Sequence, residues 1–443
     1  MYAQNLSIPK VVRIRVCTTN FPSVDTDIIN RQYPSLELPH RHFQQMSTNT
    51  SDSSSRSAHT WRRVVVKVGT NLLTDSTENL SIRFIDEIVR QVVELRKRGV
   101  EVIIATSGAV AAGRELLNGQ GTTLPKRGVA NRQVLAALGQ ASLMNHYASS
   151  LKNAGVLAGQ ALVSRIDLES GHGYLNARNA LLGLIKSNAI PIVNENDVVA
   201  VEELEGEVFG DNDRLSARIA DVVDADALII LSDVAGLFDR DPRSHRNAKL
   251  VTEVDGITDE IRAMSGVEVA ERSRGGMATK VEAADMATSI GIGVIIASGN
   301  DEDVLLRLHA GESIGTYFKP QSTHIEGRKR RMLAAIARTD DQIVVNAGAA
   351  TALVEKGSSL LPPGIVDVRG SFERGAFVAI ADSEGEVIAA GRSSYGSDDI
   401  RSIMGLRSAD AHEKLDNDYG DEIVHRNNLA LVRTQTNAAR DKR

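Results

Sequence analysis

The fold of this chain is decided by the stretch Arg63-Val64-Val65-Val66-Lys67-Val68-Gly69-Thr70. Its run of apolar residues predicts a strand that is buried on both faces, as in a parallel sheet with helices on each side. Gly69 allows backbone amides to approach an anion, and Lys67 adds a positive charge next to it. The stretch therefore predicts a phosphate site at the end of a core strand. The alternative is an ordinary core strand that ends in lysine and glycine without a ligand.

Helical and strand-like segments alternate after this strand. Apolar residues recur at helical spacing between Ser81, which is typical of a helix start, and Gly99, which is typical of a helix end. Further strand-like runs occupy residues 102–106, 156–163, 190–193, 227–231 and 294–297, and further helical segments occupy residues 131–153, 175–186, 214–223 and 278–290. Strands separated by helices of roughly 10 to 20 residues predict βαβ units. We expect a three-layer α/β/α domain with a mainly parallel sheet over residues 61–318.

The C-terminal part of the chain has a different pattern. A charged run at residues 326–331 follows Pro320 and predicts a linker between domains at 319–338. Beyond it, short strand-like runs are separated by glycine turns, which predicts a small β-rich domain over residues 339–435. Residues 436–443 are expected to form a tail.

Residues 1–60 form a separate, polar segment. Residues 48–57 are rich in serine, and no sustained strand or helix period precedes them. We expect a disordered extension. The segment is also consistent with a predicted start that lies too far upstream, with Met46 as the true first residue. A mitochondrial transit peptide is the alternative, and acidic residues such as Asp25 and Asp52 count against it, because such peptides avoid acids.

Composition narrows the class of protein. The 443 residues include 42% hydrophobic and 24% charged residues, which is ordinary for a soluble globular protein. The net charge of −6 argues against nucleic acid as the main partner of the whole chain. Cys17 is the single cysteine, so the chain has neither a disulfide framework nor a cysteine metal site, which fits a reducing cytoplasm. No apolar run approaches the roughly 18 residues that span a bilayer, so we expect no membrane association.

Three polar motifs follow predicted strands or precede a helix, where parallel sheets bind ligands. Ser107 follows the second strand, and its hydroxyl is suited to a carboxylate. Asp197 ends the polar run after residues 190–193 and is suited to an ammonium group, because such a run is costly to bury without a partner. Asn212 and Asp213 precede a helix whose free N–H groups favour anions. A turn without a ligand, a solvated loop and a plain helix cap are the respective alternatives.

Two further motifs are suited to a nucleotide. Ser232 and Asp233 follow the most apolar strand, although a capped turn would have the same residues. A glycine-rich loop then enters a helix as Arg274-Gly275-Gly276-Met277-Ala278-Thr279-Lys280. Lys280 would give a phosphate site a second cation opposite Lys67. His172 lies in a glycine-flanked loop and is expected to be structural, so no Ser/His/Asp nucleophile competes with this interpretation.

Six motifs in this order resemble those of the glutamate 5-kinase family of the amino-acid kinase superfamily. They are VVVKVGTNLLT, ATSGAVAAGR, PIVNENDVVA, FGDNDRLSA, GLFDRDPRS and GGMATK. The later motifs EKGSSLLPPGI, GSFERGAFV and VHRNNLAL resemble the PUA domain that many of these enzymes append. The resemblance covers about residues 61–435. Aspartokinases and acetylglutamate kinases usually have two glycines after the lysine, where this chain has only Gly69.

The resemblance implies an enzyme that transfers a phosphoryl group from ATP to the side-chain carboxylate of L-glutamate, the first step of proline synthesis. It implies that Lys67 and Lys280 are catalytic, with Asp213 orienting both. Ser107, Asp197 and Asn212 would bind glutamate. The residues that would contact ATP are Lys67, Gly69, Thr70, Ser232, Asp233, Arg274, Gly275, Gly276, Met277, Ala278, Thr279 and Lys280. The family usually has threonine where this chain has Arg274.

The resemblance also implies partners. Mg²⁺ would arrive on the nucleotide, proline would be a feedback inhibitor, and the protein would be a dimer or tetramer. Two other functions stay open at this point. One is RNA binding or RNA modification through the PUA-like domain, and the other is a related kinase with a different acid substrate.

Overall fold

The computed structural model describes residues 61–125, 128–200, 212–266, 276–415 and 419–432. The predicted extension 1–60, the predicted tail 436–443 and two predicted ATP contacts, Arg274 and Gly275, lie outside these residues.

The first part of the chain builds an eight-stranded sheet around the opening stretch. Its strands are β1 (Arg63–Val68), β2 (Glu101–Thr106), β3 (Leu157–Val163), β4 (Ala189–Glu195), β5 (Ala227–Ser232), β6 (Glu253–Val254), β7 (Gly293–Ser298) and β8 (Thr316–Phe318). Their order is β3-β4-β2-β1-β5-β7-β8-β6, and β1 pairs in parallel with β2 and β5. Of the neighbouring pairs, only β7 and β8 are antiparallel. The predicted, mainly parallel sheet is confirmed.

Helices cover both faces of this sheet. They are α1 (Thr70–Leu73), α2 (Ile82–Lys97), α3 (Ala109–Gly119), α4 (Val129–Asn153), α5 (Arg165–Glu169), α6 (Gly171–Lys186), α7 (Asn212–Val222), α8 (Asp259–Met264), α9 (Met277–Ser289) and α10 (Val304–His309). One hydrophobic cluster joins one sheet face to α2 and α4, and a second joins the other face to α7 and α9. The predicted three-layer architecture is therefore confirmed.

The alternation of side chains along β1 decides which layer meets the lysine. Val64, Val66 and Val68 belong to the cluster with α2 and α4, whereas Val65 belongs to the cluster with α7 and α9. Successive side chains of a strand point to opposite faces, so Lys67 shares the face of Val65. Lys67 is thereby directed toward α7 and α9, although its position in the chain is far from both.

The C-terminal part forms a second sheet with its own core. It contains β9 (Gln342–Val345), β10 (Ile365–Arg369), β11 (Phe377–Ala381), β12 (Val387–Arg392) and β13 (Leu429–Leu431) in the order β10-β9-β11-β12-β13. A separate hydrophobic cluster fills this region. The strand-rich prediction is confirmed, but three helices accompany the strands, namely α12 (Ala347–Lys356), α13 (Ser397–Ile403) and α14 (Ser408–Lys414).

The segment that was expected to be a linker contains a helix, α11 (His324–Ile336). It begins after Thr323, whose side chain accepts from the backbone N–H of Glu326 while the Glu326 carboxylate accepts from the backbone N–H of Thr323. This reciprocal capping box is a helix-start signal. The sequence prediction missed it because the charged run was interpreted by composition alone.

The two sheet regions touch through α6 and α7. Arg374 donates to the Asn176 side chain at 2.8 Å, and the Arg392 guanidinium lies 4.5 Å from the centre of the Tyr174 ring. Arg331 on α11 donates two hydrogen bonds to Asp221 on α7, at 2.7 and 2.5 Å. In the part of the chain that the structure describes, no helix is long and apolar enough to cross a membrane.

Candidate active site

Three charged residues from distant parts of the chain meet at the carboxyl edge of the sheet. Lys67 Nζ lies 2.7 Å from Asp213 Oδ1, and Lys280 Nζ lies 3.1 Å from Asp213 Oδ2. Lys67 comes from β1, Asp213 from the first turn of α7 and Lys280 from the first turn of α9. The structure thus brings together the three residues that were predicted to be catalytic.

Burial and charge together set the ionisation of Asp213. Its side chain is 3% exposed, and burial by itself raises the pKa of a carboxyl group. The ammonium groups of Lys67 and Lys280 outweigh that effect, and a hydrogen bond from Thr279 Oγ1 at 2.7 Å adds to them. The pKa of Asp213 falls to about 2. Asp213 is therefore an anion at neutral pH and holds two ammonium groups side by side.

Several of the predicted nucleotide residues lie beside these two lysines. Thr279 and Lys280 share Asp213 Oδ2, and the Gly276 carbonyl accepts from Thr279 Oγ1 at 3.1 Å. Met277 and Ala278 open α9 between them. Gly69 directly follows β1 and lies close to the Lys67 side chain. A Cβ added to Gly69 would lie 3.4 Å from the Lys67 ammonium group. Thr70 starts α1 directly afterwards.

Ser232 and Asp233 lie at the end of β5, next to β1. Ser232 donates to Asp233 Oδ1 at 3.1 Å, and Asn71 Nδ2 donates to Asp233 Oδ2 at 3.0 Å. Partial burial raises the pKa of Asp233. These hydrogen bonds and the charge of Lys280 lower it by more than burial raises it, so the pKa of Asp233 is below its ordinary value. Asn71 was not predicted, although it lies in the same motif as Gly69.

The predicted substrate residues Ser107 and Asn212 are in direct contact. Asn212 Nδ2 donates to Ser107 Oγ at 2.9 Å and to the Thr106 carbonyl at 3.2 Å. Asn212 immediately precedes Asp213 in α7, so neighbouring side chains reach Ser107 on one side and the two lysines on the other.

Asp197, the third predicted substrate residue, contacts α4. It follows β4, and its carboxylate lies 3.4 Å from Arg132 on α4. Its side chain is 15% exposed. The negative charge of Asp197 therefore faces the Arg132 guanidinium.

Two polar residues beside Asn212 were not predicted. Asn212 Nδ2 lies 3.3 Å from Asn194 Oδ1, and Asn194 Nδ2 donates to Gln140 Oε1 at 2.8 Å. Asn194 belongs to the polar run that drew attention to Asp197, so its motif contained a usable signal. Gln140 lies in the middle of a long helix, and nothing in the sequence around it distinguishes it.

The described residues do not form a metal site of their own. Among them, no group of three or more His, Cys, Asp or Glu side chains is placed to hold a metal ion. Both oxygens of Asp213 face ammonium groups.

Comparisons with known proteins agree with this architecture. The model of the amino acid kinase family matches residues 62–298, and the model of the PUA domain matches residues 341–415. These two matches define the class, an amino-acid-kinase domain followed by a PUA domain.

Relatives identify the particular family within this class. Glutamate 5-kinase from Shewanella oneidensis is 46% identical over 372 residues, which cover 84% of this chain and 98% of that protein. Glutamate 5-kinase from Herpetosiphon aurantiacus is 43% identical over 83% of this chain and 97% of that protein. A carbamate kinase structure from Giardia lamblia covers 59% of this chain and 99% of that chain at 18% identity, with a TM-score of 0.43. The chain belongs to the glutamate 5-kinase family.

Proposed function

We propose that the protein transfers the γ-phosphoryl group of ATP to the side-chain carboxylate of L-glutamate, forming L-glutamyl 5-phosphate and ADP. One observation carries this proposal: consecutive residues of α7 serve two adjacent sites. Asn212 reaches Ser107, and Asp213 reaches Lys67 and Lys280. An amino acid at the first site and a triphosphate at the second would place a carboxylate next to a γ-phosphoryl group.

The chemistry of the step explains why two lysines are needed. A carboxylate and a triphosphate repel each other, so the protein has to neutralise and align them before they react. Glutamate needs no general base, because its side chain, with a pKa of about 4.3, is already ionised at neutral pH. The carboxylate oxygen bonds to the γ-phosphorus while the bond to the β–γ bridging oxygen breaks, and ADP leaves with that electron pair.

The roles of the site residues follow from this step. Lys67 and Lys280 stabilise the charge that spreads over the transferring group, which is the main contribution of the protein in phosphoryl transfer. Asp213 keeps both ammonium groups at the same place. Ser107, Asp197 and Asn212 bind glutamate. The nucleotide contacts the residues after β1 and β5 and those at the start of α9, and Mg²⁺ arrives with it. Arg274 and Gly275 are also proposed to contact ATP.

The wider biological role is part of the same proposal. The product would enter proline synthesis, proline would inhibit the enzyme, and the protein would act in the cytoplasm as a dimer or tetramer. The predicted domain limits, 61–318 and 339–435, belong to this proposal as well.

A coupled assay of ADP release tests the function. We expect turnover with L-glutamate and at least a hundredfold lower kcat/KM with L-aspartate, N-acetyl-L-glutamate and UMP. Hydroxylamine should trap the acyl phosphate as a hydroxamate in an amount equal to the ADP released, which separates transfer from simple ATP hydrolysis. ADP release without hydroxamate, or preference for another acceptor, would refute the proposal. Adding proline in the same assay tests the inhibition.

RNA binding by the PUA domain is the second candidate, and the family-model match over residues 341–415 is the observation that favours it. Arg331, Arg374 and Arg392 are nevertheless engaged with the kinase domain, which leaves them poorly placed for a phosphate backbone. A filter-binding titration of RNA against salt tests this candidate, since phosphate contacts give a steep negative slope. A flat slope would exclude it.

A further inference from the structure

A chain of three side-chain amides runs from the interior of α4 to the substrate residues. Gln140 Oε1 accepts from Asn194 Nδ2, and Asn194 Oδ1 accepts from Asn212 Nδ2. At the far end, Asn212 Nδ2 also donates to Ser107. Neither Gln140 nor Asn194 has a role in the reaction as proposed above.

The direction of this chain is fixed at two points by backbone groups. The Glu195 backbone N–H donates to Asn194 Oδ1 at 2.9 Å, so this atom has to be the oxygen. The Thr106 carbonyl accepts from Asn212 at 3.2 Å, so the Asn212 atom that faces it has to be the nitrogen. A backbone N–H cannot accept and a carbonyl cannot donate, and neither asparagine amide can therefore be turned over without losing a bond.

The fixed direction leaves one acceptor without a protein partner. Asn212 Oδ1 is buried and has no hydrogen-bond partner among the described residues. A buried oxygen without a donor is costly, and a ligand that brings an N–H group removes that cost. The α-ammonium group of an amino acid is such a donor. An acid of the same length without the amine is not.

We infer that Gln140 is a positioning residue that, through Asn194, keeps the Asn212 amide in place, so that its oxygen, whose orientation the Thr106 carbonyl fixes, faces the substrate's α-ammonium group. This inference rests on the proposed function, and it makes Gln140 a determinant of specificity for amino acids over plain dicarboxylic acids. Gln140 acts through its Oε1 atom alone. A glutamate at this position would keep that acceptor, whereas a leucine would lose it.

The test compares L-glutamate with glutarate, which has both carboxylates but no amine. Binding of each ligand to the full chain is measured by calorimetry, and KM by the ADP assay. For Gln140→Leu we expect the preference for glutamate over glutarate to fall about tenfold to a hundredfold. A change of this size corresponds to the loss of one hydrogen bond to a charged group, here the bond between the α-ammonium group and Asn212 Oδ1. The KM for ATP should stay within about twofold, and Gln140→Glu should keep the preference.

The control is Gln120→Leu, the same substitution at an exposed position just after α3. This variant should bind glutamate and glutarate as the wild type does. Equal loss of glutamate and glutarate binding in Gln140→Leu would show a general structural role and overturn the inference. A lost preference in Gln140→Glu would overturn it too, because Nε2 would then be the atom that matters. If the wild-type chain binds glutamate but does not phosphorylate it, the proposed function fails while the binding comparison still decides the role of Gln140.

Discussion

At the scale of single residues, the site depends on a buried anion that holds two cations. Asp213 is 3% exposed and Lys67 is 5% exposed, so their attraction acts in a low-dielectric environment. Lys280 is slightly more open, at 12%. Ammonium groups held in this way need no rearrangement when the phosphoryl group transfers, which is the condition for strong electrostatic stabilisation.

Replacing Lys67 by methionine tests the catalytic role of this lysine. Methionine keeps most of the volume but removes the charge, so we expect Lys67→Met to lower kcat by about 10²–10³-fold, as for other single donors to a transition state. Kinetics with L-glutamate and ATP measure the change. Lys152→Met, an exposed lysine in the last turn of α4, is the control and should be unaffected. Near-normal turnover of Lys67→Met would remove Lys67 from the mechanism.

The low pKa of Asp213 predicts how stability changes in acid. Its pKa is lower in the folded state than the ordinary value of 3.8, so its ion pairs stabilise the fold above pH 4 and are lost as the pH falls toward 2. In urea unfolding between pH 4.5 and 2.5, wild type should lose stability relative to Asp213→Asn, because Asp213 is protonated more readily in the unfolded chain than in the folded one. A constant difference between the two proteins would contradict the prediction.

At the scale of elements, two helices approach so closely that only glycine fits between them. A Cβ on Gly139 of α4 would lie 1.8 Å from the Ala109 carbonyl of α3, and one on Gly113 would lie 1.9 Å from the Leu135 carbonyl. Ala109 opens α3 two residues after Ser107. The contact between α3 and α4 therefore sets the position of Ser107, a proposed substrate residue, as well as the packing of the layer.

Gly139→Ala should accordingly affect stability and binding together. Overpacking of this contact is expected to cost about 1–3 kcal/mol of unfolding free energy, and the displaced α3 should raise the KM for glutamate several-fold. Gly183→Ala is the matched control, because Gly183 also lies inside a helix and has nothing within 4 Å of an added Cβ. That control should be neutral or stabilise by about 0.4–1 kcal/mol. Similar urea midpoints for the two variants would refute the role of the contact.

At the scale of the whole molecule, the C-terminal region is attached to the helix that carries the site. Arg331 pairs with Asp221, two turns along α7 from Asp213, and the Gly375 backbone lies against Gly171 at the start of α6. The PUA region thus supports the kinase layer on the side of α6 and α7. Arg374 and Arg392 of this region are used for the contact.

Gly375→Ala measures how much the contact contributes to stability. Gly375 has a φ of +87°, and a Cβ on it would lie 2.1 Å from the Gly171 carbonyl carbon. Gly385 has a φ of +88° with nothing within 4 Å, so Gly385→Ala has the same backbone strain without the contact. We expect Gly375→Ala to lose about 1–3 kcal/mol more unfolding free energy than Gly385→Ala loses. The fluorescence of Trp61, the single tryptophan, reports unfolding. Equal losses would mean that the domains do not depend on this contact.

The sequence predicts the fold class, which the structure confirms, and most of the residues that the structure brings together at the candidate site. Apolar strands with polar residues at their ends can only be buried in a covered parallel sheet, which brings those ends to one edge. It did not show α11 or the helices of the C-terminal region, because charged and mixed runs have weak periodicity. Only the tertiary structure decided that Lys67 and Lys280 share one carboxylate of Asp213, and that Gln140 completes an amide chain to Asn212. The physical reason is that strand and helix periods fix the direction of a side chain, whereas distances between residues far apart in the chain depend on how the layers pack.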